Sequence, residues 1–175
     1  MKKINLIVIL AILFGLALYI RLTPHPANFT PLAAVSLFAG VYLPKKWALS
    51  LPISILFISD LFLGFYDWRL ASVVYACFIL TALMGIYLKN RKNVLTVLSA
   101  ALGSALVFFL VTNFAVWALS SWYPHTFSGL MLNYTLAVPF FRNTLMGNLF
   151  FTGVLFGAYE LVKVSMPSLI KKAVK

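Results

Sequence analysis

The chain has 175 residues, of which 63% are hydrophobic and only 10% are charged, and its mean hydropathy is +1.00. A soluble domain carries roughly 25% charged residues, so the composition predicts one integral membrane domain over residues 1–175 and excludes a sizeable soluble domain. A net charge of +11 would suggest nucleic acid in a soluble chain. Here the basic residues flank apolar runs, which indicates membrane topology and no nucleic-acid partner.

Apolar runs and their breakers predict an all-α protein with six transmembrane helices, at about 20 residues per crossing. The predicted spans are residues 5–22, 31–43, 47–65, 70–88, 94–119 and 142–162. The first has no cleavage site after it and is expected to remain in the protein. The second is short, so we expect its neighbours to shield it, or else that it begins inside the bilayer. Residues 120–141 are predicted to be a connection that contains a re-entrant or interfacial segment, MLNYTLAVPFF.

The distribution of basic residues predicts the orientation of these spans. With the N-terminus inside, the cytoplasmic side holds Lys2, Lys3, Lys45, Lys46, Lys89, Arg91, Lys92, Lys163, Lys171, Lys172 and Lys175. The outer side holds only Arg21, Arg69 and Arg142. Basic residues favour the cytoplasmic side in short loops, so we expect both termini to be cytoplasmic.

The chemically varied residues fall on the outer side or in the outer halves of the spans. They are Arg21, His25, Asn28, Asp60, Asp67, Arg69, Asn113, His125, Arg142 and Asn143, with Tyr75 and Cys77 one to two turns deeper. Ionisable groups and irregular backbone at membrane depth are tolerated where they line a protein-walled or wet cavity. The proline-rich stretch RLTPHPANFTP (residues 21–31) is therefore predicted to shape the mouth of a pocket that opens to the outside.

Two ionisable residues of the predicted pocket also have simpler interpretations. Asp60 lies about one turn from the outer end of the third predicted span, where it would serve the pocket or form an interfacial ion pair. Arg142 is placed at the start of the last predicted span. An arginine there could simply snorkel to the interface, but a helix N-terminus favours anions. We therefore expect Arg142 to have a partner, either Asp60 or a ligand.

The histidines and the cysteine are weaker candidates. His25 and His125 lie beside prolines in outer loops, where a histidine more often forms structural hydrogen bonds than binds a ligand. Two histidines and one cysteine at this spacing match no zinc-finger pattern, so no permanent metal site is predicted. Cys77 would be a packing residue or, because of its depth, a ligand-binding residue.

Features that the chain lacks restrict the function further. It contains no Walker A loop, no His-Glu-x-x-His motif and no Gly-x-Ser-x-Gly motif, and it has only three carboxylates. An ion-driven transporter usually has more intramembrane acids and internal symmetry. A subunit that binds and translocates a molecule fits better than an enzyme or a self-powered pump.

Several stretches together resemble a family of small bacterial membrane proteins. They are RLTPHPANFTPLAAVSLFAGVYL, SD followed by GFY, VTNFAVW, WYPHTFSGL and AVPFFRNTLMGNLFFTGVLFG. That family groups with the substrate-binding S components of energy-coupling-factor (ECF) vitamin transporters. The resemblance implies a six-helix fold that captures a vitamin in an outward-facing pocket. It also implies partners, namely a transmembrane subunit and two ATPases.

The chain is similar in particular to the solitary, cobalamin-transporting S components of Gram-negative bacteria. There a cysteine in a membrane helix meets the cobalt of the corrinoid, and Cys77 is the residue here that could take that role. The resemblance also implies Asp60, Tyr75 and Arg142 as polar pocket residues. Asn133 and Asn148 depart from the family pattern, which often has a cysteine and an acid at these places.

The sequence therefore predicts a multi-pass protein of the bacterial inner membrane that binds and helps import a vitamin-like molecule, with cobalamin as the leading candidate and no permanent cofactor. The predicted ligand-binding residues are His25, Asn28, Asp60, Tyr75, Cys77 and Arg142, with Cys77 as the cobalt ligand. Two alternatives remain open. One is a membrane assembly or structural factor without a small-molecule substrate, and the other is a membrane enzyme that uses His25, Asp60 and Arg142.

Overall fold

The structure, a computed structural model, describes residues 3–165 and the side chains of residues 8–164. The described part contains six helices. They are α1 (Lys3–Leu22), α2 (Leu32–Tyr42), α3 (Lys45–Leu63), α4 (Trp68–Leu88), α5 (Val94–Leu119) and α6 (Phe127–Ser165). The first five begin and end within two residues of the predicted spans, so the all-helical prediction is confirmed. Lys2, Lys171, Lys172 and Lys175, which contribute to the predicted orientation, lie outside the described residues.

The sixth helix corrects the prediction for residues 120–141. α6 is continuous over 39 residues and contains Pro139, so no re-entrant segment precedes it. It begins where the Thr126 hydroxyl accepts a hydrogen bond from the Gly129 amide at 3.1 Å, as a helix N-cap does. Pro139 does not end the helix. Proline removes only one intrahelical hydrogen bond, and membrane proteins tolerate it inside helices.

Four of the helices are long and apolar enough to cross a membrane. They are α3, α4, α5 and the Phe127–Val164 part of α6. The remaining apolar helices, Val8–Leu22 within α1 and the whole of α2, are shorter. The structure therefore defines an all-helical membrane protein with four candidate spans.

The short helix α2 occupies the centre of the bundle. Nine of its 11 residues are buried, and it contacts each of the other five helices. This confirms the expectation that neighbouring helices shield it. An 11-residue helix is about 16 Å long, too short to cross a hydrocarbon core of about 30 Å by itself, so its ends meet protein rather than lipid.

Two glycines set how closely α2 approaches α4. A methyl group at Gly40 would overlap the Ala82 carbonyl oxygen, and one at Gly85 would overlap the Leu37 carbonyl oxygen. Small residues at such crossings let helix backbones approach closely in membrane proteins. This contact fixes α4, whose adjacent positions line the candidate site.

The connections between the helices define two ends of the bundle, which we call the loop end and the basic end. At the loop end, residues 23–31, 64–67 and 120–126 connect the helices. At the basic end, residues 43–44 and 89–93 form the connections, and Lys45, Lys46, Lys89, Arg91 and Lys92 gather there.

Four aromatic rings pack together at the basic end. Phe38 contacts Tyr42, Phe156 and Tyr159 with ring centroids 4.7, 5.3 and 5.7 Å away, and these four residues form the aromatic cluster. Such ring pairs contribute about 0.5–1.5 kcal/mol each beyond the area they bury. The cluster therefore joins α2 to α6 firmly at this end.

Charged residues surround the aromatic cluster. The Tyr42 hydroxyl donates to Glu160 at 3.2 Å, and Lys163 donates to the same carboxylate at 2.8 Å. The Lys92 ammonium lies 4.0 Å from the centroid of the Tyr42 ring, a cation–π distance. Partial burial of Lys92 lowers its pKa, which the nearby Glu160 carboxylate partly offsets.

Candidate functional site

A cavity of about 280 Å³ lies at the loop end. Its apolar wall comes from Ala33, Leu56, Leu63, Val74, Phe78 and Phe108. Its polar groups fall into two sets, one near the mouth (Arg21, His25, Asn28, Thr30 and Tyr66) and one deeper among the helices (Thr81, Ser104, Thr144 and Asn148). Pockets with an apolar lining and a few convergent polar groups are typical small-molecule sites.

The segment 23–31 forms the mouth of the cavity through a tight turn. The Phe29 amide donates to the Pro26 carbonyl at 3.0 Å, and Asn28 has a φ of +64°. Asparagine tolerates this left-handed conformation better than most residues. His25 donates from Nδ1 to the Thr23 carbonyl at 2.7 Å, which leaves Nε2 as an acceptor. His25 and Asn28, two of the predicted ligand-binding residues, both line the cavity.

The same segment is attached to α6. Asn143 donates through Nδ2 to the Ala27 carbonyl at 3.0 Å. The Phe29 ring packs on Phe151 with centroids 5.4 Å apart. A methyl group at Gly147 would lie 3.3 Å from the Phe29 Cα, a tight contact, so the two backbones lie close together here. α6 therefore holds the mouth of the cavity in place.

A buried ion pair supports the wall near the mouth. Arg21 donates through Nη2 to Asp60 Oδ1 at 2.9 Å and through Nε to the Ser59 hydroxyl at 2.7 Å. Tyr75 donates to the other carboxylate oxygen of Asp60 at 3.0 Å. Asp60 is only 3% exposed and, unlike Arg21, does not line the cavity. Asp60 and Tyr75 therefore orient Arg21, which faces the cavity.

The structure also corrects the predicted position and partner of Arg142. It lies 15 residues inside α6 rather than at a helix start, and the partner of Asp60 is Arg21. Arg142 is exposed and makes no hydrogen bond or ion pair with residues 8–164. Thr144, two positions further on, lines the cavity, and two helical positions are about 200° apart. Arg142 therefore faces away from the site.

Cys77 lies beside the cavity wall but is not part of it. It is 6% exposed, and the residues of α4 that line the cavity are Val74, Phe78 and Thr81. At about 100° per residue, Cys77 falls at the edge of that face, about 40° from Thr81. The described structure thus covers the sulfur with neighbouring side chains.

Tyr66 lies at the rim of the cavity in the connection between α3 and α4. Partial burial raises the pKa of its phenol, and the Asp60 carboxylate adds to this effect while Arg21 opposes it. Tyr66 therefore presents a protonated hydroxyl to the mouth. The other loop histidine, His125, does not line the cavity, and its Nε2 lies 3.1 Å from the Ser120 carbonyl oxygen.

The deep polar residues were missed by sequence reasoning. Thr144 and Asn148 are one helical turn apart on α6, and Thr152 continues the same row. A stripe of polar residues at four-residue spacing in an apolar helix was the signal that could have found them. Thr152 is 2% exposed, and its hydroxyl is the one buried side-chain polar atom without a hydrogen-bond partner in the described part of the chain.

Within the part of the chain that the structure describes, no three residues among histidine, cysteine, aspartate and glutamate gather closely enough to hold a metal ion. The fold and the site together define an α-helical membrane protein with a polar cavity at one end. The chain belongs to the family of unknown function DUF6580, which it matches over residues 1–169. No curated protein and no solved structure matches it.

Proposed function

We propose that this protein captures a vitamin-like small molecule at the outer face of the bacterial inner membrane and helps to import it. The observation that carries the proposal is the cavity at the loop end, which has a mixed polar and apolar lining. The asymmetry of the bundle supports the direction of capture. The cavity is at the end opposite the lysine-rich connections, and basic connections favour the cytoplasmic side.

The proposal includes the orientation of the chain. Six crossings with both termini in the cytoplasm would place segment 23–31 outside. A reporter fused to the C-terminus should then behave as cytoplasmic, and a tag inserted near Ser128 should be accessible from outside. Ser128 is exposed at the start of α6, so a tag there disturbs little packing. Two tags on the same side of the membrane would contradict this orientation.

The transport step can be tested with a matched pair of threonines on α6. Thr144 and Thr135 both donate to the carbonyl four residues earlier, at 2.9 and 2.8 Å. Thr144 lines the cavity, whereas Thr135 is exposed. Thr144→Leu should fill part of the cavity and reduce uptake of the substrate by cells, while Thr135→Leu should behave as wild type. Equal uptake by the two variants would show that the cavity does not take part in transport.

Cobalamin is our leading candidate for the substrate, on the strength of the family resemblance. A complete corrinoid is several times larger than the 280 Å³ cavity. Binding it would therefore require movement of segment 23–31, or entry of only part of the molecule. Protein purified from cells supplied with cobalamin should be red if the candidate is correct. A colourless preparation that retains another small molecule would redirect the proposal to that molecule.

The proposal assigns to Cys77 the role of cobalt ligand, because thiolate sulfur suits a polarisable metal centre. Cys77 is buried and lies at the edge of the lining face of α4, so coordination would require α4 or its neighbours to move. Bound corrinoid should then have an absorbance spectrum shifted from that of the free vitamin, and Cys77→Ala should abolish the shift. An unchanged spectrum in wild type would leave Cys77 as a packing residue.

The resemblance extends the proposal to energising partners. An ECF-type transmembrane subunit and its ATPases would then bind this protein during transport. Affinity purification of the tagged protein from its native membrane should recover them if the protein depends on such a module. Uptake by the protein alone in a heterologous membrane would show that it does not.

A further inference from the structure

The deep wall of the cavity presents hydrogen-bond acceptors. The Thr81 hydroxyl donates to the Cys77 carbonyl at 2.9 Å, and the Thr144 hydroxyl donates to the Phe140 carbonyl at 2.9 Å. A hydroxyl has one proton and two lone pairs. The proton of each of these hydroxyls is already donated to a backbone carbonyl. What remains toward the cavity is an acceptor.

The Asn148 side chain also presents an acceptor to the cavity. Its Nδ2 donates to the Ser104 hydroxyl at 3.2 Å and to the Ala101 carbonyl at 3.3 Å, and the Ser104 hydroxyl itself donates to the Ala101 carbonyl at 2.9 Å. Asn148 Oδ1 accepts no hydrogen bond from the described residues. Since Asn148 lines the cavity, this oxygen is a further acceptor available to a ligand.

Near the mouth, Arg21 presents donors. A guanidinium has five N–H groups, and Arg21 uses Nε on Ser59 and one N–H of Nη2 on Asp60. The two N–H groups of Nη1 make no hydrogen bond with the described residues. Arg21 lines the cavity, whereas Asp60 does not, so these donors serve a ligand while Asp60 neutralises the charge.

The charge balance of the cavity favours a neutral ligand over an anionic one. Among the described residues that line the cavity, Arg21 carries the only permanent charge, and Asp60 compensates it. A carboxylate would bring an uncompensated negative charge to this site, and one of its oxygens would face the acceptors of the deep wall. A neutral group with an acceptor on one side and N–H donors on the other would satisfy both walls.

The spacing of the two walls fits such a group. Arg21 meets Asp60 beside Tyr75, and Thr81 lies six residues further along α4, which is about 9 Å along the helix axis. Two hydrogen bonds of about 2.9 Å each, together with the width of an amide, cover a similar distance. The rise along α4 is therefore compatible with one small planar group lying between Arg21 and the deep wall.

We propose that the cavity recognises a primary carboxamide, whose carbonyl oxygen accepts from Arg21 Nη1 and whose NH₂ group donates to Asn148 Oδ1 and the neighbouring hydroxyl oxygens. This inference rests on the proposed capture of a small molecule and names the chemical group that is captured. Phe78 and Phe108, whose ring centroids lie 5.3 Å apart, provide an apolar surface for the carbon skeleton that bears the amide.

Three probes of nearly equal size test the inference on the full-length protein in detergent. Benzamide carries the proposed group, benzoate replaces it by a carboxylate, and acetophenone keeps the carbonyl but has no N–H donor. Benzamide should raise the thermal unfolding temperature in a saturable way, since ligand that binds only the folded state stabilises it. The other two probes should bind about tenfold more weakly or worse, because buried acceptors would be left unpaired.

Matched variants locate the binding. Asn148→Leu should abolish the benzamide shift, whereas Asn113→Leu should retain it, because the Asn113 side chain donates to the Phe109 carbonyl on α5 and does not line the cavity. Should Asn148→Leu fail to fold, Thr81→Val removes one acceptor at almost constant volume and should weaken benzamide binding. Retention of full benzamide binding by both cavity variants would overturn the inference.

The outcomes separate this inference from the proposed function. Equal binding of benzamide and benzoate, equal binding of benzamide and acetophenone, or no binding of benzamide would overturn the carboxamide assignment, and vitamin uptake could still stand. Selective benzamide binding by a protein that imports nothing would support the assignment and reject the transport function.

Discussion

The two ends of the helix bundle use polar groups in opposite ways. At the basic end, Tyr42 and Glu160 bond to each other beside four packed aromatic rings. At the loop end, the ion pair of Arg21 and Asp60 lies beside an open cavity, and several donors and acceptors have no partner among the residues that the structure describes. From this comparison we expect the basic end to contribute mainly to stability, whereas the loop end contains the cavity on which the proposed function rests.

The largest expected effect is on the aromatic cluster. Phe38 is 5% exposed and contacts three other rings, so Phe38→Ala should lower the free energy of unfolding by about 3–5 kcal/mol. The matched control is Phe57→Ala, since Phe57 is 51% exposed and should change stability little. Unfolding in detergent would measure both. If Phe38→Ala and Phe57→Ala were equally stable, the basic end would not be the stabilising end.

The second effect concerns the ion pair at the loop end. Asp60→Ala leaves Arg21 uncompensated and should cost about 3 kcal/mol of unfolding free energy. The double variant Arg21→Met/Asp60→Leu should recover most of this loss, because neither charge remains. The control is Arg142→Ala, which should combine additively with Asp60→Ala, since Arg142 does not contact Asp60. A strong coupling of Asp60 to Arg142 would contradict the pairing in the structure.

A smaller effect is expected from one hydroxyl of the aromatic cluster. Tyr42→Phe removes the hydrogen bond to Glu160 but keeps the ring contacts, so it should cost about 1 kcal/mol of unfolding free energy. Tyr159→Phe is the control, because the Tyr159 hydroxyl makes no hydrogen bond with the described residues and its ring packs on Tyr42 at 3.9 Å. The same loss in both variants would mean that ring packing, not the hydroxyl, matters here.

The smallest effect is expected at the N-terminus of α4, and it depends on pH. Asp67 accepts hydrogen bonds from the Arg69 side chain and amide, and these bonds lower the pKa of Asp67 to about 2 from 3.8. Because the folded pKa is lowered, this stabilisation is complete above about pH 4 and is lost as the pH falls toward 2. Asp67→Asn should flatten the dependence of the unfolding temperature on pH in that interval. Identical pH profiles of variant and wild type would show that Asp67 does not contribute.

Much of the fold was predictable because apolar runs and their breakers report directly on membrane helices. The five helices from Lys3 to Leu119 agree with their predicted spans to within two residues. Residues 127–141 were predicted wrongly as part of a connection with a re-entrant or interfacial segment, whereas α6 begins at Phe127. The better signal for the start of α6 was Thr126, whose hydroxyl caps the helix and which follows the loop residue Pro124 by two positions.

The candidate site was only partly predictable. His25 and Asn28 were found because irregular backbone and polar residues in a membrane protein attract attention. Arg21 was seen as an outer charge, but its pairing with Asp60 depends on the packing of α1 against α3, which no local pattern reveals. Ser104 and Asn148 lie 44 residues apart in the sequence and meet only through the contact of α5 with α6.

The continuous helix α6 has a consequence for the lipid that surrounds the protein. At 39 residues it is about 58 Å long. Even at a tilt of about 40°, the upper end of the usual range, about 26 residues cross a hydrocarbon core of about 30 Å. The surplus of about a dozen residues would lie beyond the hydrocarbon core, in the headgroup region. The angle of α6, and with it the segment that Asn143 and Gly147 hold at the cavity mouth, should therefore depend on the acyl-chain length of the membrane.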